Sequence, residues 1–189
     1  MKKKNLKISE YLNTISDGIG NIKQSDLNKL AVLIKKTISI RKNIFVCGNG
    51  GSAAIANHYL ADYNKILKIK LKNKLPKFIS LNNSIEQITA ISNDMNYKKI
   101  FTYQIENFAE KNDVLIVMSC SGKSPNILDV ANFAKKKKIK LVSITGFNKH
   151  YLKKNSLINL HVGIDDYGIC EDVFQIIMHY TIINIVNNS

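Results

Sequence analysis

Arginine is almost missing from this chain of 189 residues, in which Arg41 is the only one. Arginine is the side chain best suited to bidentate recognition of bases and phosphates, so its scarcity argues against nucleic-acid binding despite a net charge of +14. The lysines occur together with many Asn and Ile residues, which indicates a general compositional bias. We therefore expect a solvated lysine surface that favours acidic metabolites, and no nucleic-acid partner.

Cysteine, proline and long apolar runs are also scarce. The three cysteines show no CxxC spacing, which is typical of a reduced, cytoplasmic protein. No apolar run approaches the roughly 20 residues that span a bilayer, and no apolar signal segment follows the first lysines, so we expect no membrane association. With two prolines and no repeat or linker, the 189 residues are expected to form one domain.

What the sequence does contain is an alternation of strand and helix patterns from residue 43 to the end. Such an alternation predicts an α/β protein with a parallel sheet that is covered by helices on both faces. Two amphipathic helices are expected before it, within residues 1–42. The predicted strands are residues 43–47, 77–81, 113–118, 140–145 and 157–162. The predicted helices are residues 6–15, a segment from residue 25, and residues 52–63, 84–93, 97–110, 124–137 and 170–187.

Two loops rich in serine and glycine lie where a predicted strand runs into a helix. The first is CGNGGS at residues 47–52, and the second is SCSGKS at residues 119–124. Glycine allows close approach of the backbone to a ligand, and free N–H groups at a helix N-terminus favour anions. Each loop alone could simply cap its helix. Because both follow strands of one sheet, we expect them to face one crevice and to bind a phosphorylated small molecule.

Neither loop satisfies a nucleotide-binding motif in full. Residues 48–53 match GxGxxA, but that motif also needs an acidic residue at the end of the second strand, where this chain has Asn82 and Asn83. The second loop has Val117 where a P-loop requires glycine. We therefore expect a phosphate site and no nucleotide cofactor.

Two predicted helices carry side chains able to move protons or bind a metal. His58 and Asp62 are four residues apart on one helix, and Glu171, Gln175 and His179 recur every four residues on the last one. If these side chains converge, they supply either an acid and a base or a metal site of two histidines and two carboxylates. Helical spacing alone does not show that they converge.

Several of these motifs are combined in one known family. They are CGNGGSA at residues 47–53, His58, SND at residues 92–94, SxSGxS at residues 119–124, SITG at residues 143–146 and the last helix with His179. With them, the chain resembles bacterial phosphoheptose isomerases of the sugar isomerase (SIS) superfamily over nearly its whole length. The resemblance implies a single SIS domain with a flavodoxin-like, doubly wound sheet of five parallel strands.

The resemblance also implies roles for individual residues. Asp62 would be the general base and His179 the acid, and the metal ligands would be His58, Asp62, Glu171 and His179, with about one Zn²⁺ per chain. The residues implied to contact the sugar phosphate are Asn49, Gly50, Gly51, Ser52, Asn93, Asp94, Ser119, Cys120, Ser121, Ser124 and Glu171. A homotetramer with shared active sites is implied as well.

The chain departs from the pattern of this family at three positions. Asp62 stands where the family has glutamate, Glu171 where it has glutamine, and Lys123 where it has asparagine.

The expected activity is conversion of sedoheptulose 7-phosphate to D-glycero-D-manno-heptose 7-phosphate through an enediol, for the synthesis of heptose-containing glycans. The alternatives are an isomerase of another sugar phosphate and a non-catalytic SIS module that binds a sugar phosphate or a protein.

Overall fold

The computed structural model describes residues 7–71, 76–147 and 151–188. The chain begins with helices α1 (Ile8–Gly20) and α2 (Gln24–Ser39). The remaining elements follow in chain order and include one short 3₁₀ turn. They are β1 (Ile44–Gly48), α3 (Gly51–Lys70), β2 (Phe78–Ser80), α4 (Ile85–Asp94), the 3₁₀ turn (Tyr97–Lys99), α5 (Ile100–Glu106), β3 (Val114–Ser119), α6 (Pro125–Lys136), β4 (Lys140–Thr145), α7 (Tyr151–Asn155), β5 (Ile158–His161) and α8 (Tyr167–Asn187).

The five strands form one sheet in the order β2-β1-β3-β4-β5, and every neighbouring pair is parallel. This is the flavodoxin-like order, so the predicted fold class is confirmed. The strand order reverses between β1 and β3, which are direct neighbours. Ligands of open parallel sheets bind at such a point, beyond the carboxyl ends of the strands. The loops that follow β1 and β3 lie there.

Both faces of the sheet are buried, which explains why the strands read as nearly continuous apolar runs. On one face, strand residues such as Val46 and Ile116 pack against α1, α2, α3 and α8. On the other, Phe45 and Leu115 pack against α4, α5, α6 and α7. The side chains alternate between the two cores because successive residues of a strand point to opposite faces.

Helix α1 ends at Gly20 rather than at residue 15, and two other predicted helices also differ from the observed ones. Helix α3 continues beyond residue 63 to Lys70, because Leu67 extends the buried series of Tyr59 and Tyr63. The predicted helix at residues 97–110 is a 3₁₀ turn followed by α5, because Asp113 accepts a hydrogen bond from the Glu110 N–H at 2.8 Å and directs the chain into β3. The short helix α7 was not predicted. Residue 6, the predicted start of the first helix, lies outside the described residues.

Buried tyrosines fix the position of α8 beside α3. Tyr59 donates a hydrogen bond to the carbonyl of Gln175, and Tyr63 donates one to the carbonyl of Met178, both at 2.9 Å. Both tyrosine side chains are fully buried, and this burial raises the pKa of each well above its ordinary value. The two helices are therefore held in one register, which decides which of their other side chains can meet.

Helix α8 is long and apolar enough to cross a membrane by length and composition alone. Polar residues such as Glu171 and His179 interrupt its apolar run, so no such stretch was predicted from the sequence. Half of the stretch is buried inside the structure. Its buried residues Val173, Phe174 and Ile177 belong to the core on one face of the sheet. Helix α8 thus packs as a core helix of this fold.

Candidate functional site

The first loop turns sharply between β1 and α3. Gly50 has a φ of +56°, a backbone conformation that residues with a side chain rarely adopt. Helix α3 begins at the next residue. The backbone of Gly48 is held from the side by Asn82, whose amide accepts from the Gly48 N–H at 3.1 Å and donates to its carbonyl at 2.9 Å. The loop is therefore a fixed connection that places the first turn of α3 at the carboxyl ends of the strands.

The second loop is shaped by its own serines. The hydroxyl of Ser119 accepts a hydrogen bond from the Gly122 N–H at 3.1 Å, and the hydroxyl of Ser121 accepts one from the Lys123 N–H at 3.3 Å. Gly122 has a φ of +63°. Ser124 precedes α6 at the N-cap position, and Pro125 begins the helix. A hydroxyl that accepts one hydrogen bond still has its proton to donate to an anion.

The two loops are joined side by side. The amides of Asn49 and Asn126 donate to each other at 2.8 and 3.0 Å, and the hydroxyl of Tyr97 donates to Asn49 at 3.1 Å. Asn126 is fully buried. This bond pair ties the first loop to the first turn of α6, so both loops present one rigid surface. The sequence did not single out Asn126 or Tyr97, since their role depends on the meeting of distant segments.

A cavity of about 360 Å³ opens between the loops. Its lining includes nine of the residues predicted to contact the sugar phosphate, and also Met118 and Tyr167, which were not predicted. Asn93 and Asp94 lie at the exposed end of α4 and are not part of this lining. The nine predicted residues are Asn49, Gly50, Gly51, Ser52, Ser119, Cys120, Ser121, Ser124 and Glu171.

Glu171, near the start of α8, holds the first turn of α3. Its carboxylate accepts from the Ser52 N–H at 3.0 Å and lies 3.5 Å from the Ser52 hydroxyl. A Cβ atom on Gly51 would overlap this carboxylate in its present position, so a side chain at residue 51 would displace Glu171. A helix N-terminus favours a negative charge, which makes this a stabilising position for Glu171.

The three cysteines are buried. Cys120 lies in the second loop and Cys170 at the start of α8, and the two thiols interact. This contact raises the pKa of Cys120 and lowers that of Cys170. Burial raises the pKa of Cys47 in β1 well above its ordinary value. The Cys120 thiol is therefore protonated at neutral pH, which makes it a poor nucleophile.

His58 and Asp62 on α3 meet His179 on α8. The Nε2 atom of His58 lies 3.0 Å from Oδ2 of Asp62, and Nε2 of His179 lies 3.6 Å from that same oxygen. The two histidine Nε2 atoms are 3.4 Å apart. Between 30% and 50% of each side chain is exposed, so a ligand can reach all three. The structure thus brings together the predicted acid and the predicted base.

The same three residues, which we call the α3–α8 cluster, suit a metal ion. One donor atom of each lies within 4.8 Å of the others. Two imidazole nitrogens and one carboxylate oxygen are the protein ligands of many catalytic zinc sites. Glu171, the fourth expected ligand, is not in this cluster in the described part of the chain, because its carboxylate is bonded to Ser52. Gln175 lies beside the cluster instead, with its amide nitrogen 3.2 Å from Nε2 of His179.

The loop cavity and the α3–α8 cluster lie along the same pair of helices. Ser52 meets Glu171 near the start of both helices, and Asp62 meets His179 further along both. Ser52 and His58 are six residues apart, which is about 9 Å along a helix axis. The loop cavity therefore lies near the N-termini of both helices, and the α3–α8 cluster lies further along them.

Comparison with known proteins supports the interpretation of these motifs. Residues 10–146 match the family described as SIS domain. The phosphoheptose isomerase of Helicobacter pylori strain 26695 is 35% identical over 179 residues, which cover 95% of this chain and 90% of that protein.

Solved structures agree with the fold. A phosphoheptose isomerase from Neisseria gonorrhoeae superposes with a TM-score of 0.84 at 22% identity, over 94% of each chain. One from Francisella tularensis superposes with a TM-score of 0.80 at 25% identity, over 96% of this chain and 97% of that one. The doubly wound arrangement is thus that of a known class of structures.

Proposed function

The chain belongs to the phosphoheptose isomerase family of SIS-domain proteins, and we propose that it converts sedoheptulose 7-phosphate to D-glycero-D-manno-heptose 7-phosphate for heptose-containing glycans. The observation that carries this proposal is the pairing of a serine-lined cavity with an acid–base cluster on the same two helices. The cavity suits a phosphate, and the cluster suits proton transfer at the far end of an extended sugar.

We assign the phosphate to the loop cavity. The hydroxyls of Ser121 and Ser124 and the first turn of α6 supply hydrogen-bond donors and the positive end of a helix dipole. The net charge of +14 also favours the approach of a dianion. Asn93 and Asp94, at the end of α4, remain proposed contacts of the sugar.

Asp62 is the proposed general base and His179 the proposed acid. Isomerisation moves a proton between adjacent carbons through an enediol, so it needs a base for the carbon-bound proton and a donor for the oxygen that gains negative charge. Asp62 can take the proton at Oδ2, where His58 already interacts and fixes the orientation of the carboxylate. His179 lies within 3.6 Å of that oxygen, so base and acid face the same small volume.

We also propose one Zn²⁺ per chain, held by His58, Asp62 and His179. The donor set and the spacing of its atoms support this assignment. When bound, the ion would occupy Nε2 of His179 and would polarise the oxygens of the substrate as a Lewis acid in place of that proton donor, while the second carboxylate oxygen of Asp62 would serve as the base. Glu171 stays a proposed contact of the substrate, and no nucleotide cofactor is proposed.

We further propose a homotetramer in the cytoplasm. Exposed apolar side chains on the neighbouring helices α1 and α8, among them Ile8, Leu12 and Ile183, support burial against other copies of the chain. Active sites shared between subunits would follow if α8 lies at such an interface. The three buried free cysteines suit a reducing compartment.

Turnover of a substrate panel tests the proposal. The purified chain is incubated with ketose phosphates of five, six and seven carbons, with and without added Zn²⁺, and the products are identified by NMR. We expect aldose formation from sedoheptulose 7-phosphate and much slower reaction of the shorter sugars. Binding of the panel without any product would contradict the enzyme and favour a non-catalytic SIS module.

A further inference from the structure

Gln175 lies beside the α3–α8 cluster and is held there firmly. Its backbone carbonyl accepts the hydrogen bond of the buried Tyr59 hydroxyl at 2.9 Å. Its side-chain amide lies 3.2 Å from Nε2 of His179, the atom that also faces His58 and Asp62. The half-buried Gln175 side chain therefore extends from a fixed point toward the atoms that would share a metal ion.

Glu171 and Gln175 are separated by one turn of α8 and contact different partners. Glu171 is directed toward the N-terminus of α3, where it accepts from the Ser52 N–H at 3.0 Å. To reach the cluster, its carboxylate would have to give up a hydrogen bond at a favourable helix end. Gln175 needs no such displacement, because its amide is already adjacent to His179.

We propose that Gln175 supplies the fourth protein ligand of the metal, in the place that family resemblance gives to Glu171. This inference rests on the Zn²⁺ site of the proposed function. The oxygen and nitrogen of a carboxamide occupy nearly the same space, so a half-turn of the amide group exchanges its N–H donor for its oxygen acceptor. The amide then donates to His179 without a metal and directs its oxygen to the ion when the metal is bound.

The charge of the metal-bound site depends on whether Gln175 or Glu171 is the fourth ligand. His58, Asp62, His179 and Gln175 together bring one negative charge, so a divalent ion leaves the site with a net charge of about +1. With Glu171 as a second carboxylate ligand, the site would be neutral, and its electrostatic attraction for the oxygens of the sugar would be weaker. The neutral amide therefore keeps the ion electrophilic, while Glu171 remains at the loop cavity.

Metal affinity of matched variants tests this assignment. Zn²⁺ affinity is measured by competition with a chromophoric chelator, and bound Co²⁺ is followed by its visible absorption. Gln175→Leu keeps the size of the side chain but removes its donor atoms, and we expect at least tenfold weaker Zn²⁺ binding. Gln175→Glu keeps an oxygen donor and should bind at least as tightly as the parent chain. Glu171→Gln is the control and should bind Zn²⁺ within about threefold of the parent, since Glu171 lies outside the cluster.

The outcomes separate this inference from the proposed function. Parent-like affinity in Gln175→Leu, or a tenfold loss in Glu171→Gln, would overturn the assignment of Gln175. If Gln175→Leu does not fold, the Co²⁺ spectrum of Gln175→Glu decides, because an unchanged spectrum would show that position 175 does not contact the metal. A parent chain that binds neither ion would contradict the metal site itself. Turnover by that chain would then leave the isomerase proposal intact.

Discussion

Replacement of Glu171 by glutamine should affect stability and ligand binding in opposite directions. The substitution keeps the shape of the side chain and an oxygen that can accept from the Ser52 N–H, but it removes the charge. Hydrogen bonds to charged groups contribute roughly 1.5–3 kcal/mol and neutral ones about 1 kcal/mol, so the variant should lose about 1 kcal/mol of stability. For a chain of this size, a loss of about 1 kcal/mol lowers Tm by about 2–4 °C.

Binding of a sugar phosphate to the metal-free protein should improve in the same variant. Glu171 and the phosphate loop line one cavity of about 360 Å³, which keeps a bound phosphate within roughly 8 Å of the carboxylate. At that distance and an effective dielectric of about 40, two unit charges repel by about 1 kcal/mol, which is about a fivefold change in affinity. The gain should shrink at high salt, because screening weakens the repulsion.

Titration calorimetry at two salt concentrations measures this effect, with Glu110→Gln as the matched control. Glu110 precedes the amino end of β3, whereas both loops follow the carboxyl ends of strands, so its replacement removes the same charge far from the loops. The control should bind sugar phosphate like the parent chain. Weaker binding by Glu171→Gln would refute the reasoning, because the charge of the carboxylate would then contribute more to ligand binding than its repulsion of the phosphate costs.

Three further predictions concern the loops and the cluster. Ser124→Ala removes a hydroxyl proposed to contact the phosphate and should weaken ketose-phosphate binding by about 1.5–3 kcal/mol in calorimetry; unchanged affinity would limit Ser124 to its capping position. Gly50→Ala forces a side chain onto a φ of +56° and should cost roughly 1–3 kcal/mol in chemical denaturation, whereas Gly20→Ala in open space at the end of α1 should not destabilise the protein. Elemental analysis should find about one Zn²⁺ per parent chain and none in His58→Ala; zinc retained in the variant would mean that the metal binds elsewhere.

The fold was predictable because local patterns and chain order agree. Five apolar runs alternate with helical patterns, and a right-handed connection between parallel strands leaves few possible topologies. The loops at residues 47–52 and 119–124 were predictable as one site for the same reason, since loops at the carboxyl ends of adjacent parallel strands must be neighbours. Nine of the predicted contacts line the resulting cavity.

The cluster was not predictable from spacing because it depends on packing between distant segments. Tyr59 and Gln175 are 116 residues apart, and their hydrogen bond sets the register in which α8 lies against α3. Only that register decides that His179 meets Asp62. The separation of Glu171 from the cluster has a similar origin, because the Ser52 N–H that binds it becomes available only once the helices are side by side.

Exchange of deuterium from solvent tests the central claim most directly, because it follows the proton that Asp62 is proposed to move. With sedoheptulose 7-phosphate in D₂O, the parent chain should place deuterium on the carbon next to the carbonyl. Asp62→Asn keeps the size of the side chain and should abolish this exchange while binding the sugar phosphate nearly as tightly as the parent. Exchange at the parental rate in Asp62→Asn, or no exchange in a parent chain that binds the substrate, would contradict the account.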